Sequence, residues 1–372
     1  SKVDGRPNPL VFHLTNALWH VAAALVLFGL LERLRVPRFV SLVVPIVYVV
    51  HPLHTEAVAY ISGRADPMAA AFVYAALICA LWEGSPVRHA VGLVSSSVFF
   101  VAALLCKESA MAYVALLALV QFFRPVSGDR KKTYLARGIP LVAGAIVLGV
   151  YLGLRATVLK FASTTATVAV APFGQRLHDA STALAEYVKL IFVPVGLHME
   201  RSLTDAPSGE MFIGGLLFGA FLSLLVAGLV RGRWRIALGL GWFLVTWLPI
   251  SGLFPLNAPM AEHWMYVPLA GLLWAGAEIL APIVRFRLPA IVTGMVLAAY
   301  CFVMLFLTIE RNKDWRDDIT LFEATLRENP NSARVHYNLA VAYDDIRNEP
   351  GKALPHYLDY LRITGEGKEA GE

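Results

Sequence analysis

His51-Pro52-Leu53-His54-Thr55-Glu56, followed by Gly63-Arg64-Ala65-Asp66, lies between two apolar stretches, Val40 to Val50 and Met68 to Trp82. Charge beside hydrocarbon is costly, so a polar run at a membrane boundary points to function. The surrounding chain is 57% hydrophobic and 16% charged over 372 residues, with a mean hydropathy of +0.61. An ordinary soluble protein carries about 25% charged residues, so this composition is that of a polytopic membrane protein.

Windows long enough to span a bilayer give further stretches at Leu10 to Leu31, Val91 to Leu105, Ala110 to Phe123, Ile139 to Leu154, Met211 to Val230, Ile236 to Ile250, Val267 to Ile283 and Pro289 to Thr308. The fold expected is an all-α membrane bundle of about ten helices, the short ones buried inside it or broken at functional loops.

Basic residues alternate from loop to loop. Arg33, Arg35 and Arg38, then Arg88, then Arg124, Arg130, Lys131, Lys132 and Arg137, then Arg231, Arg233 and Arg235, then Arg285 and Arg287 fall in loops of one parity, and the short loops of the other hold little beyond Arg64 and Lys107. The bias marks the cytoplasmic side. It places the His51 to Asp66 loop, Lys107-Glu108, the Arg155 to Glu210 segment, the Ser251 to Tyr266 segment and the tail outside. The same parity puts Ser1 outside, with at least one helix and a loop expected upstream. The net charge of +5 is then an orientation signal, not a nucleic-acid footprint. Cys79, Cys106 and Cys301 lie in or beside apolar spans and form no disulfide or metal frame.

From Arg311 the chain turns polar and helical. One helix is expected over Trp315 to Glu328 with Trp315, Ile319, Phe322 and Leu326 on one face, then helices over Ser332 to Ile346 and Leu354 to Ile363. His336-Tyr337-Asn338-Leu339-Ala340, Tyr343, Ala353 and Tyr357 are similar to a tetratricopeptide repeat, so residues 1–309 are read as a transmembrane domain and 310–372 as the start of a repeat array.

Four outer clusters carry the candidate chemistry. In the first, Glu56 and Asp66 are carboxylates able to take a hydroxyl's proton, Arg64 suits a phosphate, and His51 and His54 would hold donor phosphate or a metal. Capping is the plainer reading, with His51-Pro52 ending one helix and Asp66 capping the next. Lys107-Glu108 is either a self-neutralising pair at a helical hairpin or a phosphate contact supported by Glu108. Leu177 to Leu197 is amphipathic, as an interfacial helix is; it is either plain packing or part of the substrate site, with Arg176 and Arg201 then the phosphate contacts. In the last cluster, Glu262 is a catalytic carboxylate or helix N-terminal acid, His263 a phosphate contact, and Trp264 and Tyr266 interface anchors.

The His51 to Asp66 run, Lys107-Glu108, the Pro194 to Leu197 turn, the Glu262 to Pro268 run and the link through Arg311, Asp314 and Trp315 into repeats resemble the transmembrane and tetratricopeptide-repeat (TMTC) O-mannosyltransferases and their bacterial relatives. Pro9, His13, Asn16 and His20 fit the same resemblance. It implies a GT-C glycosyltransferase of a bacterial inner membrane or the endoplasmic reticulum. Such an enzyme passes mannose from a polyprenyl-phosphate donor to a protein Ser or Thr on the periplasmic or lumenal side, with the repeats presenting the acceptor. The family's main catalytic acid sits in the first outer loop, expected here upstream of Ser1, and its usual Arg after the late Glu is His263 in this chain. Donor phosphate contacts then fall to His51, His54, Arg64, Lys107, Arg201 and His263. Glu56, Asp66 and Glu262 are the carboxylates, and Glu108 and Tyr266 support them. A divalent metal is left open and none is assigned. A membrane anchor for a binding scaffold, a transporter and a lipid-linked sugar ligase are the competing classes.

Overall fold

The computed structural model describes residues 2–3, 6–7, 9–126, 130–159, 171–203, 207, 209–254 and 256–365. The expectations about Ser1 and the chain before it, about the side chains of Arg130 to Lys132, and about residues 160–170 lie outside the described residues. Apart from a two-residue strand pair, Lys2–Val3 with Arg6–Pro7, the regular structure described is helical.

Helices α1 (Pro9–Arg33), α2 (Arg38–Val50), α4 (Ala65–Ala80), α5 (Pro86–Cys106), α6 (Ala112–Phe123), α7 (Arg130–Leu154), α9 (Glu210–Val230), α10 (Trp234–Trp247), α11 (Tyr266–Leu280) and α12 (Arg287–Asp314) answer the ten apolar stretches. A short α3 (Thr55–Ala59) and the amphipathic α8 (Phe173–Phe192) lie between them. Among the described residues five helices are long and apolar enough to cross a membrane: α1, α5, α9, α12 and the helix over Thr133–Val158. A sixth is added if α2 and the Pro52–Ala59 segment, bent by 57°, make one broken span.

The division of labour among the helices follows from their exposure. α7, α9 and α12 show apolar side chains all round, among them Val142, Ile146, Leu216, Val226, Val292 and Phe302, which suits a hydrocarbon surround and would be ruinous in water. The short α4, α6, α10 and α11 are instead wrapped by the bundle, where Tyr48, Tyr74, Phe100, Tyr113, Trp242 and Trp274 form a close-packed centre with α1 and α2. Two glycines let α10 and α11 touch backbone to backbone. A Cβ on Gly239 would meet Gly271 O at 2.8 Å, and one on Gly271 would meet Phe243 N at 2.7 Å. Gly214 does the same for α9 against the Ser181 backbone of α8.

Helix ends alternate, so the connections sort onto two ends of the bundle. Arg33 donates to Leu81 O, Arg235 to Arg35 O, and Arg124 pairs with Glu83, which ties the basic connections together at one end. At the other end Asn16 of α1 donates to Val58 O and Tyr60 O, and Thr308 of α12 to Val50 O.

α12 runs on past residue 309 to Asp314, so the expected boundary falls inside a helix that links bundle and tail. The tail comprises α13 (Asp318–Glu328), α14 (Ala333–Val341), extended by a wider turn over Ala342–Ile346, and α15 (Pro350–Thr364). Asp317 caps α13 by accepting from Thr320 N–H, and Ser332 caps α14 by accepting from Val335 N–H. Ile319, Phe322 and Leu326 pack on Leu339, Ala340, Tyr343 and Ala353, as their spacing requires. Trp315 departs from that face: it ends α12 and lies against Tyr60 and Arg311 instead.

Candidate active site

The turn after α2 is set by sequence. His51 closes α2 in extended conformation, Pro52 opens a short 3-10 turn, and the ring of His51 accepts from Leu53 N–H. Its other nitrogen meets Ile191 O at 2.8 Å, so both ring nitrogens are committed to the protein and the residue is buried. His54 is equally buried, with Nδ1 2.8 Å from Tyr48 O. The two ring centroids lie 6.4 Å apart, and His54 Nε2 is a buried atom without a hydrogen-bond partner among the described residues. His54 belongs to a buried ring cluster with His20, Tyr48 and Tyr266, in which His20 Nδ1 lies 2.6 Å from the Tyr266 hydroxyl and Tyr48 donates to Tyr266 O. Tyr266, expected at the membrane interface, is at the centre of the bundle.

The charged residues form a chain of pairs between elements distant in sequence. Lys107 Nζ reaches both carboxylate oxygens of Asp66 at 2.7 Å, joining the end of α5 to the start of α4. Asp66 therefore does not cap α4, whose N-terminal Arg64 makes no side-chain cap, and Lys107 does not neutralise Glu108, which pairs with Arg155. Glu56 accepts from His263 N–H at 3.0 Å and meets the ring Nδ1 at 2.8 Å. Glu56 lies in α3 and Asp66 in the first turn of α4, the two ends of one short connection, so the two pairs are neighbours.

Glu262 holds the next link. It is 1% exposed, accepts from His198 N–H at 2.6 Å, and stands 3.3 Å from Arg201 and 3.5 Å from Arg311. Burial pushes its carboxyl up from the ordinary value, against the pull of Arg311 and then Arg201. His198 is lowered to about 4 by burial and by the Arg201 charge beside it. Arg311 also meets Asp314 at 3.0 Å. Arg311 was legible only as part of the link into the tail; a buried arginine three residues before an acid on an otherwise apolar helix is the signal that marks it. Glu262 is thus a buried counter-charge shared by two guanidinium groups, not a carboxylate open to an acceptor.

Arg64 is the exception among these cations. It is half-buried over the Phe12 ring and has no carboxylate partner among the described residues. Arg176 is occupied, donating to Leu253 O at 2.7 Å. A cavity of about 620 Å³ opens beside the network, between α8, the 195–202 loop and the start of the tail, and is lined by Lys189, His198, Arg201 and Asn329 to Asn331. Asn329 donates to Glu200 O and Arg334 pairs with Glu200, so the tail is fastened to this same end. Among the described residues the set with metal-ligand spacing is His336, His356 and Asp359, and it belongs to the tail.

No family model matches the chain, and no solved structure matches it significantly. Among curated proteins, the chain is 26% identical to mouse protein O-mannosyl-transferase TMTC3 over 96% of its own length and 42% of that protein. It is 26% identical to mouse protein O-mannosyl-transferase TMTC4 over 95% of itself and 55% of the relative. Protein O-mannosyl-transferase F38B6.6 of Caenorhabditis elegans is 23% identical over 91% of the chain and 48% of its own length. The chain therefore spans about half the length of these relatives. The chain is thus similar to several TMTC protein O-mannosyl-transferases from the bundle into the helical tail.

Proposed function

We propose that the chain is the membrane part of a glycosyltransferase that passes mannose from a polyprenyl phosphate to a protein Ser or Thr hydroxyl. The observation that carries the reading is the meeting, at one end of the bundle, of Asp66–Lys107, Glu56–His263 and Glu262–Arg201–Arg311. Such charges are costly near hydrocarbon, and five separate stretches of sequence contribute them. The relatives named above are protein O-mannosyl-transferases.

The reaction forms a bond from the acceptor oxygen to sugar C1 and breaks the bond from C1 to the phosphate oxygen, which leaves with the electron pair. Arg64 and Lys107 are assigned to that phosphate, because one lacks a carboxylate among the described residues and the other is partly exposed beyond its Asp66 contact. Glu56 and Asp66 are the in-chain carboxylates placed to orient the hydroxyl or receive its proton. Glu262 positions the 198–201 turn through Arg201 and the His198 N–H. The basic loops mark the cytoplasmic side, so the site faces the lumen or periplasm.

The test uses the full-length protein in proteoliposomes with labelled polyprenyl-phosphate mannose and a protein acceptor. Transfer of label to Ser or Thr is expected, with loss on Lys107→Met or Arg64→Gln. Full protein binding by the tail with no transfer and no release of label from the lipid would replace this reading with that of a membrane anchor for a scaffold.

A further inference from the structure

We propose that the basic end of the bundle, opposite the candidate active site, carries a second site that binds a phosphate group, either of an anionic phospholipid headgroup or free in solution. A cavity of about 620 Å³ opens there, a size that suits a small ligand, and Arg33, Arg35, Arg124, Arg137 and Arg235 line it against one carboxylate among the described residues, Glu83. These groups come from four separate connections of the chain, and the charges of Arg35, Arg88 and Arg124 all act on Arg33.

The loop bias that orients membrane proteins accounts for arginines on this side, but not for their gathering around one opening. Their existing partners fix them in place without neutralising them. Arg33 donates to Leu81 O, Arg137 to the carbonyls of Gln121, Arg124 and Pro125, and Arg235 to Arg35 O. Glu83 pairs with Arg124 at 3.0 Å but is itself largely in solvent, and Glu278 stands 4.0 Å from Arg235. Arg33 Nε and Arg235 Nε are buried N–H donors with no hydrogen-bond partner among the described residues. Guanidinium groups held by carbonyls and mutually repelling around one opening are complementary to a phosphate. Basic pockets between membrane helices on the cytoplasmic side recognise lipid headgroups in the same way.

The test places the full chain in nanodiscs of phosphatidylcholine alone or with phosphatidylglycerol, reads the unfolding midpoint, and counts retained phosphatidylglycerol by native mass spectrometry. A parallel series adds inorganic phosphate to the phosphatidylcholine discs. A raised midpoint with phosphatidylglycerol alone identifies a lipid headgroup, and one with inorganic phosphate identifies a free ion; either supports the site. Arg35→Gln combined with Arg124→Gln should weaken binding by about tenfold, the usual effect of losing a charge-assisted contact. Glu83→Gln, which removes a lining carboxylate, should tighten binding, and this opposite sign decides the matter if the double variant folds poorly. No shift with either anion, or an unchanged affinity in both variants, overturns the proposal.

Discussion

Replacing Glu262 by Gln tests the reading of the ion network most directly. The amide keeps the side chain's volume and can still accept from His198 N–H, so the change isolates the charge. Arg201 and Arg311 stand 3.3 and 3.5 Å away with side chains 9% and 5% exposed. At an effective dielectric near 20 each contact represents about 5 kcal/mol of gross attraction, most of it offset by taking three ions out of water. Removing the shared counter-charge leaves two buried guanidinium groups, one of them with Asp314 in reserve, and breaking a buried pair costs about 3–5 kcal/mol. Equilibrium unfolding in mixed micelles would read that loss. In a background with both arginines changed to Gln the sign should reverse, because the lone carboxylate is then the uncompensated charge. A loss below about 1 kcal/mol, within the range of an ordinary substitution, or equal losses in both backgrounds, would refute the shared counter-charge.

Other perturbations separate packing from chemistry. Gly271→Ala drives a methyl into the Phe243 and Gly239 backbones, so the unfolding free energy should fall by about 1–3 kcal/mol, whereas Gly276→Ala on the same helix meets open space and should leave it unchanged. Arg64→Gln should raise the KM for the lipid donor while the unfolding free energy stays within about 0.5 kcal/mol of the parent. His198 stays neutral in the fold down to about pH 4, whereas an unfolded histidine takes its proton near 6.5. The unfolded chain then binds more protons between those values, so stability is lost as pH is lowered across that window, by at most about 3 kcal/mol. His198→Gln should flatten that slope in melts taken from pH 7 to 4, and an unchanged slope would show that other groups carry it.

The helices and the chemical types in their connections are legible in the sequence alone, because apolar length and composition are local properties that a bilayer reads one segment at a time. The sequence also located Lys107, Arg201 and Glu262 as residues needing explanation. It could not assign partners. Lys107 and Glu108 are adjacent in the chain, yet one pairs with Asp66 and the other with Arg155, and Glu262 meets Arg201 and Arg311 rather than anything near it in sequence. Likewise the three-residue spacing of His51 and His54 suggested a shared ligand, whereas Pro52 turns the chain and aims each ring at a different carbonyl. Pairing depends on which helix ends are brought together. That is decided by close approaches such as Gly239 on Gly271 and by packing around Tyr48 and Trp242, where only the assembled bundle fixes the geometry in which charges can find one another.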